Sequence, residues 1–183
     1  MKMRALLMAM IMAIAMPAFA ESELNKSDAE KTEAAKPIPD PVMFESKHTG
    51  TFGNTKVAYT VEAGETYIKG EDGEPAASLF TTSYVADKAG SARPVTFIFN
   101  GGPGSASVWL HMGLLGPKRA QVASGADADD GAAPYALVDN PLSILDVTDL
   151  VFIDPVGTGY SRAIGKGENK DYWSAAGDTA SIS

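Results

Sequence analysis

The chain has 183 residues, 45% of them hydrophobic, with 15 basic against 23 acidic side chains and a formal net charge of −8. That is one domain's length with enough apolar content for a packed core, and the acidic balance argues against a nucleic-acid partner. There is no cysteine, which excludes disulfides, thiolate zinc sites and a cysteine nucleophile.

Only two histidines occur, His48 and His111. They are too few and too far apart to suggest a metal site, and neither belongs to an H-E-x-x-H pattern. No metal or cofactor is expected.

The N-terminus reads as a secretory signal peptide, residues 1–20. Lys2 and Arg4 give a positive start, Ala5 to Met16 is an apolar run, Pro17 breaks it, and Ala18-Phe19-Ala20 is a small-x-small cleavage site. The run is shorter than the roughly 20 residues a membrane-spanning helix needs. The mature chain is expected to begin at Glu21, to be secreted or periplasmic, and to have no membrane association after cleavage. Residues 21–42 are rich in Glu, Lys, Ala, Ser and Pro and read as a flexible lead, with a solvated helix over Asp28 to Lys36 as the alternative.

Residues 43–183 read as the folded part. Lys56 to Glu62 alternates, with Val57, Tyr59 and Val61 on one face, which predicts a strand. Glu65 to Lys69 suggests another short strand, Asp72-Gly73 a turn, and Ala77 to Val85 a further strand. These predict an antiparallel start to a sheet. Val95 to Phe99 is almost continuously apolar, as expected of a central strand covered on both faces. It runs into Asn100-Gly101-Gly102-Pro103-Gly104. Ser107 to Leu115 is helix-like, and Ala123 to Pro134 reads as a loop. A second buried strand, Leu150 to Ile153, runs into Asp154-Pro155-Val156-Gly157-Thr158-Gly159. Asp178 is a candidate N-cap for a last helix. The order predicts an α/β sheet whose loops gather at the strand C-terminal ends, where such sheets place their sites.

The Gly-rich turn at Asn100–Ser105 admits two readings. It can be a tight strand-to-helix turn, or a pair of backbone N–H groups aimed at one point, as in an oxyanion hole. It matches neither phosphate-binding glycine pattern.

The run from Asn100 to Pro117, NGGPGSASVWLHMGLLGP, resembles the N-G-G-P-G-C-S-S…G-P segment of the serine carboxypeptidases. Asn140-Pro141 and then Asp149 to Ser161 resemble that family's N-P…D-x-P-V-G-x-G-[FY]-S segment, in the family's order. The resemblance implies the N-terminal portion of an α/β-hydrolase fold and a serine-type carboxypeptidase that releases C-terminal residues from peptide substrates. It implies that Gly102 offers an oxyanion-hole N–H and that Asn100 and Gly101 help bind the substrate's terminal carboxylate. Asp154 to Ser161 would shape the floor of the site.

Ser105 stands where the family usually has a cysteine. Leu114 stands where many members carry a glutamate that grips the substrate carboxylate, and no Asp or Glu occurs from Ser105 to Ala126. No G-x-S-x-G nucleophile turn occurs in the chain. None of the triad is therefore expected among these residues, and the expectation is of a truncated, inactive piece whose Ser, Asp and His would lie beyond Ser183. His48 and His111 are expected at the surface or in packing. Two alternatives remain: another α/β-hydrolase, such as a proline aminopeptidase with its H-G-G-P-G loop, or a noncatalytic truncated product. Asn100 in place of that histidine, and the D-P-V-G-T-G-Y-S run, point away from the aminopeptidase.

Overall fold

The sheet begins with three antiparallel strands. In a computed structural model of the chain these are β1 (Met43–Phe52), β2 (Thr55–Lys69) and β3 (Pro75–Ala86). The structure describes residues 37–87, 90, 92–101, 104–122 and 135–182. The expected signal peptide, most of the expected lead segment and the expected loop at 123–134 lie outside the described residues, and so does Gly102.

Gly53 and Asn54, both at positive φ, make the two-residue turn between β1 and β2. Such turns suit a hairpin because their twist matches that of the strands. β2 is one strand of 15 residues. The expected separate strand at Glu65–Lys69 is its continuation, because β3 pairs with β2 along its whole second half, from Tyr59↔Ala86 to Lys69↔Pro75. The β2–β3 turn closes at the predicted place, with Gly73 at positive φ and the Glu74 N–H donating to Asp72 Oδ1 at 3.1 Å.

After β3 the chain crosses to β4 (Val95–Phe99) and then to a short helix, α1 (Val108–Leu110), whose last turn widens to a π-helix over His111–Leu115. A two-stranded sheet follows, β5 (Lys118–Ala120) with β6 (Leu137–Asp139). β7 (Asp149–Ile153) then inserts between β3 and β4, antiparallel to the first and parallel to the second. β8 (Arg162–Ala163) pairs with β3, and α2 (Ala175–Ile182) closes the described part. The chain is thus a mixed α/β structure with mostly antiparallel and some parallel strands. Among the described residues no helix is long and apolar enough to cross a membrane.

Each face of the sheet carries its own core. Tyr59, Tyr84, Leu150, Phe152 and Ile98 line one face, and Leu110, Leu115 and Leu145 pack onto it. Ala77, Leu79, Ile153 and Val156 line the other, against Tyr172 and Ile182. β7 is buried throughout but for a half-buried Val151, as predicted.

β4 differs from expectation. It ends the strand order, only Ile98 is buried, and Val95, Phe97 and Phe99 stay exposed, Phe97 at 62%. The apolar run reports the strand's hydrophobicity, and the layout of the described residues covers one of its faces only. α2 starts at Ala175, so Asp178 lies in its first turn and is not the N-cap. An acidic residue there still meets the positive end of the helix dipole favourably.

One part-buried ion pair anchors the sheet. Asp149 Oδ1 accepts from Arg93 Nε at 2.7 Å and from the Ala86 N–H at 3.0 Å. Arg93 also donates to the carbonyls of Leu145 and Asp146. The Asp149 carboxylate thereby ties β3 to β7, and the Arg93 guanidinium ties the segment before β4 to β7 and to the loop before it.

Candidate functional site

The parallel pair β4–β7 brings the two glycine-rich segments together. Phe99 pairs with Ile153, so Asn100-Gly101 and Asp154-Pro155 leave the sheet side by side. This is the C-terminal edge of the parallel strands, the usual place for a site in such sheets.

The junction is held by polar groups. Asp154 Oδ1 accepts from the Ser107 N–H at 2.9 Å, and Oδ2 accepts from the Tyr160 N–H at 3.4 Å. The buried Ser107 hydroxyl donates to the Ile153 carbonyl and accepts from the Asn100 N–H at 3.2 Å. Asn100 Nδ2 reaches the Ala106 carbonyl at 3.5 Å, the outer limit of a hydrogen bond. Gly101 is exposed, with open space where a Cβ would stand. Gly159 has φ +51, and a Cβ there would collide with the Asp154 carboxylate. Glycine is needed at that position on both counts.

Ser161 is buried and structural. Its hydroxyl donates to the Asp154 carbonyl at 2.6 Å and accepts from the Phe80 N–H at 2.7 Å. A hydroxyl so engaged is not an activated nucleophile.

Beside this junction lies a cavity of about 430 Å³, lined by Phe80, Phe152, Val108, His111, Asp154 and Tyr160 among others. His111 forms its inner wall. Its ring stacks on Phe152 with centroids 4.3 Å apart, and Nε2 lies 2.5 Å from the Tyr84 hydroxyl. Burial pushes the His111 pKa down to about 4, against a smaller opposing pull from Asp154. The ring is therefore neutral at pH 7, and the tyrosine hydroxyl donates to it. Burial also raises the Tyr84 pKa, so that hydroxyl keeps its proton. The expected packing role of His111 holds. His48 is exposed on β1, 2.9 Å from Ser46 Oγ and stacked on Tyr59.

The helix before Gly116-Pro117 is pinned from behind. Buried Asn140 donates through Nδ2 to the carbonyls of Leu114 and Gly116, each at 2.8 Å. Ser143 Oγ donates to the Leu115 carbonyl at 2.6 Å. These serve the carbonyls a helix C-terminus leaves unpaired. Leu114 itself is 57% exposed.

Of the residues expected in the site, Asn100 and Gly101 lie together at the strand ends. Ser107 was missed as a functional position. Its signal was a hydroxyl residue immediately before a helical run, although its side chain turns to Asn100 and Ile153 and does not cap the helix. Among the described residues no cluster of His, Asp and Glu is placed to hold a metal ion.

A mixed sheet with two glycine-rich turns meeting at the ends of parallel strands defines a class of α/β proteins with sites at that edge. A family model described as serine carboxypeptidase matches residues 54–181. The chain belongs to the serine carboxypeptidase family. No curated protein matches it.

Proposed function

We propose that the chain forms the oxyanion and carboxylate-binding half of a serine-type carboxypeptidase of α/β-hydrolase fold. The observation that carries this reading is the meeting of the two family segments at the ends of β4 and β7, joined through Asp154 and Ser107. Gly102 supplies an oxyanion-hole N–H, and Asn100 and Gly101 bind the carboxylate at a peptide's C-terminus. A donor aimed at a developing oxyanion is worth about 10²–10³ in rate, but only where a nucleophile attacks. These 183 residues contain no G-x-S-x-G turn. On this reading the chain alone binds without turning over, and acyl transfer through a Ser-His-Asp triad needs residues it does not hold.

Residues 1–20 are removed on export and the mature protein acts outside the cytoplasm. The charged, apolar, A-x-A succession supports this.

The test is direct. The purified chain from Glu21 to Ser183 is offered an N-blocked dipeptide with a free C-terminus, and hydrolysis and binding are followed separately. Binding without hydrolysis is the expected result. Turnover that a serine-directed reagent abolishes would overturn the division of labour, and equal affinity for the amidated dipeptide would overturn carboxylate recognition.

A further inference from the structure

Asp154 does more than close its own loop. Its carboxylate is the acceptor that joins the segment after β7 to the segment after β4, through the Ser107 N–H at 2.9 Å. Ser107 passes the constraint on. Its hydroxyl is fixed by donation to the Ile153 carbonyl and receives the Asn100 N–H at 3.2 Å.

Three consequences follow. The Asn100 backbone N–H is committed inward and cannot serve a ligand. Within the described Asn100–Gly101 pair, what remains to meet an anion is the Gly101 N–H and the Asn100 side-chain amide, whose contact with Ala106 at 3.5 Å is long enough to exchange readily. The orientation of both depends on where the Asn100 peptide unit is held.

We infer that Asp154, acting through Ser107, is a positioning residue that holds the Asn100–Gly101 turn in shape to receive a peptide's terminal carboxylate. The inference rests on the carboxylate-binding reading above. Asp154 touches no substrate on this account. Its charge is satisfied by the Ser107 and Tyr160 N–H groups, and the Gly159 backbone closes over it where a Cβ would collide. A carboxylate suits this place because it accepts two N–H groups at once and hydrogen bonds to a charged acceptor are the stronger kind. An asparagine could accept only one of them and would turn its NH₂ on the other.

The experiment compares the wild-type chain with Asp154→Ala, Ser107→Ala and the conservative Asp154→Asn. Amide hydrogen exchange is read at Asn100, with the amides of Tyr59 and Val61 in β2 as the control for global stability. N-blocked dipeptide acid and its amide are titrated in parallel, followed at the Gly101 resonance. Ser107→Ala leaves the Asp154 charge in place, so it separates geometry from electrostatics.

Asp154→Ala and Ser107→Ala should each speed Asn100 exchange by about tenfold or more while the β2 amides hold their protection. Both should weaken binding of the acid by about tenfold or more, leaving the weak amide binding unchanged. Asp154→Asn, which keeps one acceptor, should fall between.

Unchanged Asn100 exchange in both alanine variants overturns the inference. So does exchange that rises equally in β2, which would mark a general structural role. If the wild type does not prefer the acid, the carboxylate reading fails. The exchange data then decide by themselves whether Asp154 holds the turn.

Discussion

His111 makes the helix-covered face of the sheet sensitive to acid. Its pKa falls from 6.5 to about 4 because the ring is buried against Phe152 and Tyr84. A group that resists protonation in the folded state lets the unfolded chain bind the extra proton. Stability is therefore full above about pH 6.5, is lost as pH falls towards about 4, and loses nothing more from this group below that. A shift of this size at about 1.4 kcal/mol per unit gives an upper bound of about 3–4 kcal/mol. Asp154 already offsets part of the burial effect.

The perturbation is His111→Phe, which keeps a ring on Phe152, removes the titrating nitrogen and leaves the Tyr84 hydroxyl without its acceptor. At pH 7.5 the variant should be less stable by about 1–2 kcal/mol for that lost bond. Between pH 6.5 and 4 it should lose less stability than the wild type, so the two curves converge or cross. Urea denaturation followed by the fluorescence of Trp109 and Trp173 at stepped pH measures both curves. Carboxylates such as Glu65, whose pKa is lowered by its hydrogen bonds from Val42, Ser78 and Arg162 despite partial desolvation, titrate in both proteins and cancel in the difference. Parallel curves over that window would refute the reasoning.

Arg93→Ala should destabilise the chain by about 3–5 kcal/mol in urea denaturation, because it leaves the Asp149 carboxylate buried without its partner. Asn140→Ala strips the donors from the Leu114 and Gly116 carbonyls and should cost about 2–3 kcal/mol, with faster amide exchange confined to the segment around His111–Leu115. Leu114→Glu places a carboxyl where the family resemblance implies a glutamate. It should strengthen binding of a dipeptide acid over its amide below about pH 5, where a protonated carboxyl can donate to the ligand, and a titration at pH 4.5 and 7 reads it.

Much of the fold was legible because its signals are local. Period-two alternation located β2, the Asp72-Gly73 turn located the second hairpin, and the apolar run at 150–153 located the buried strand. The first hairpin was equally local, but its Gly53-Asn54 turn went unread, and with it β1, whose side chains are almost all exposed. The place of β4 was not legible. An apolar strand reads the same whether covered on two faces or one, and strand order is set by long-range pairing. The candidate site divides in the same way. Asn100 and Gly101 stand out by residue type and by family pattern, whereas the bonds from Asp154 to Ser107 and from Asn140 to Leu114 span 47 and 26 residues and become visible only when β7 inserts beside β4 and β6 pairs with β5, respectively.

Those long bonds also explain why two separated segments carry the family pattern together. Ser107 in the first needs an acceptor for its N–H, and Asp154 in the second supplies it. Asp154 fits only because residue 159 lacks a Cβ. The helix before Gly116-Pro117 ends in carbonyls that need donors, and Asn140 supplies two. Gly116 must approach the His111 carbonyl too closely for a side chain. Ser107, Asp154, Gly159, Asn140 and Gly116 therefore each answer a requirement created by the other segment or by their own turn. Changing Asp154 or Asn140 alone leaves buried donors or acceptors unmatched at a distance, which costs more than the single bond is worth when made. The segments are one structural unit written in two places, and the geometry of the Asn100–Gly101 turn is a property of that unit.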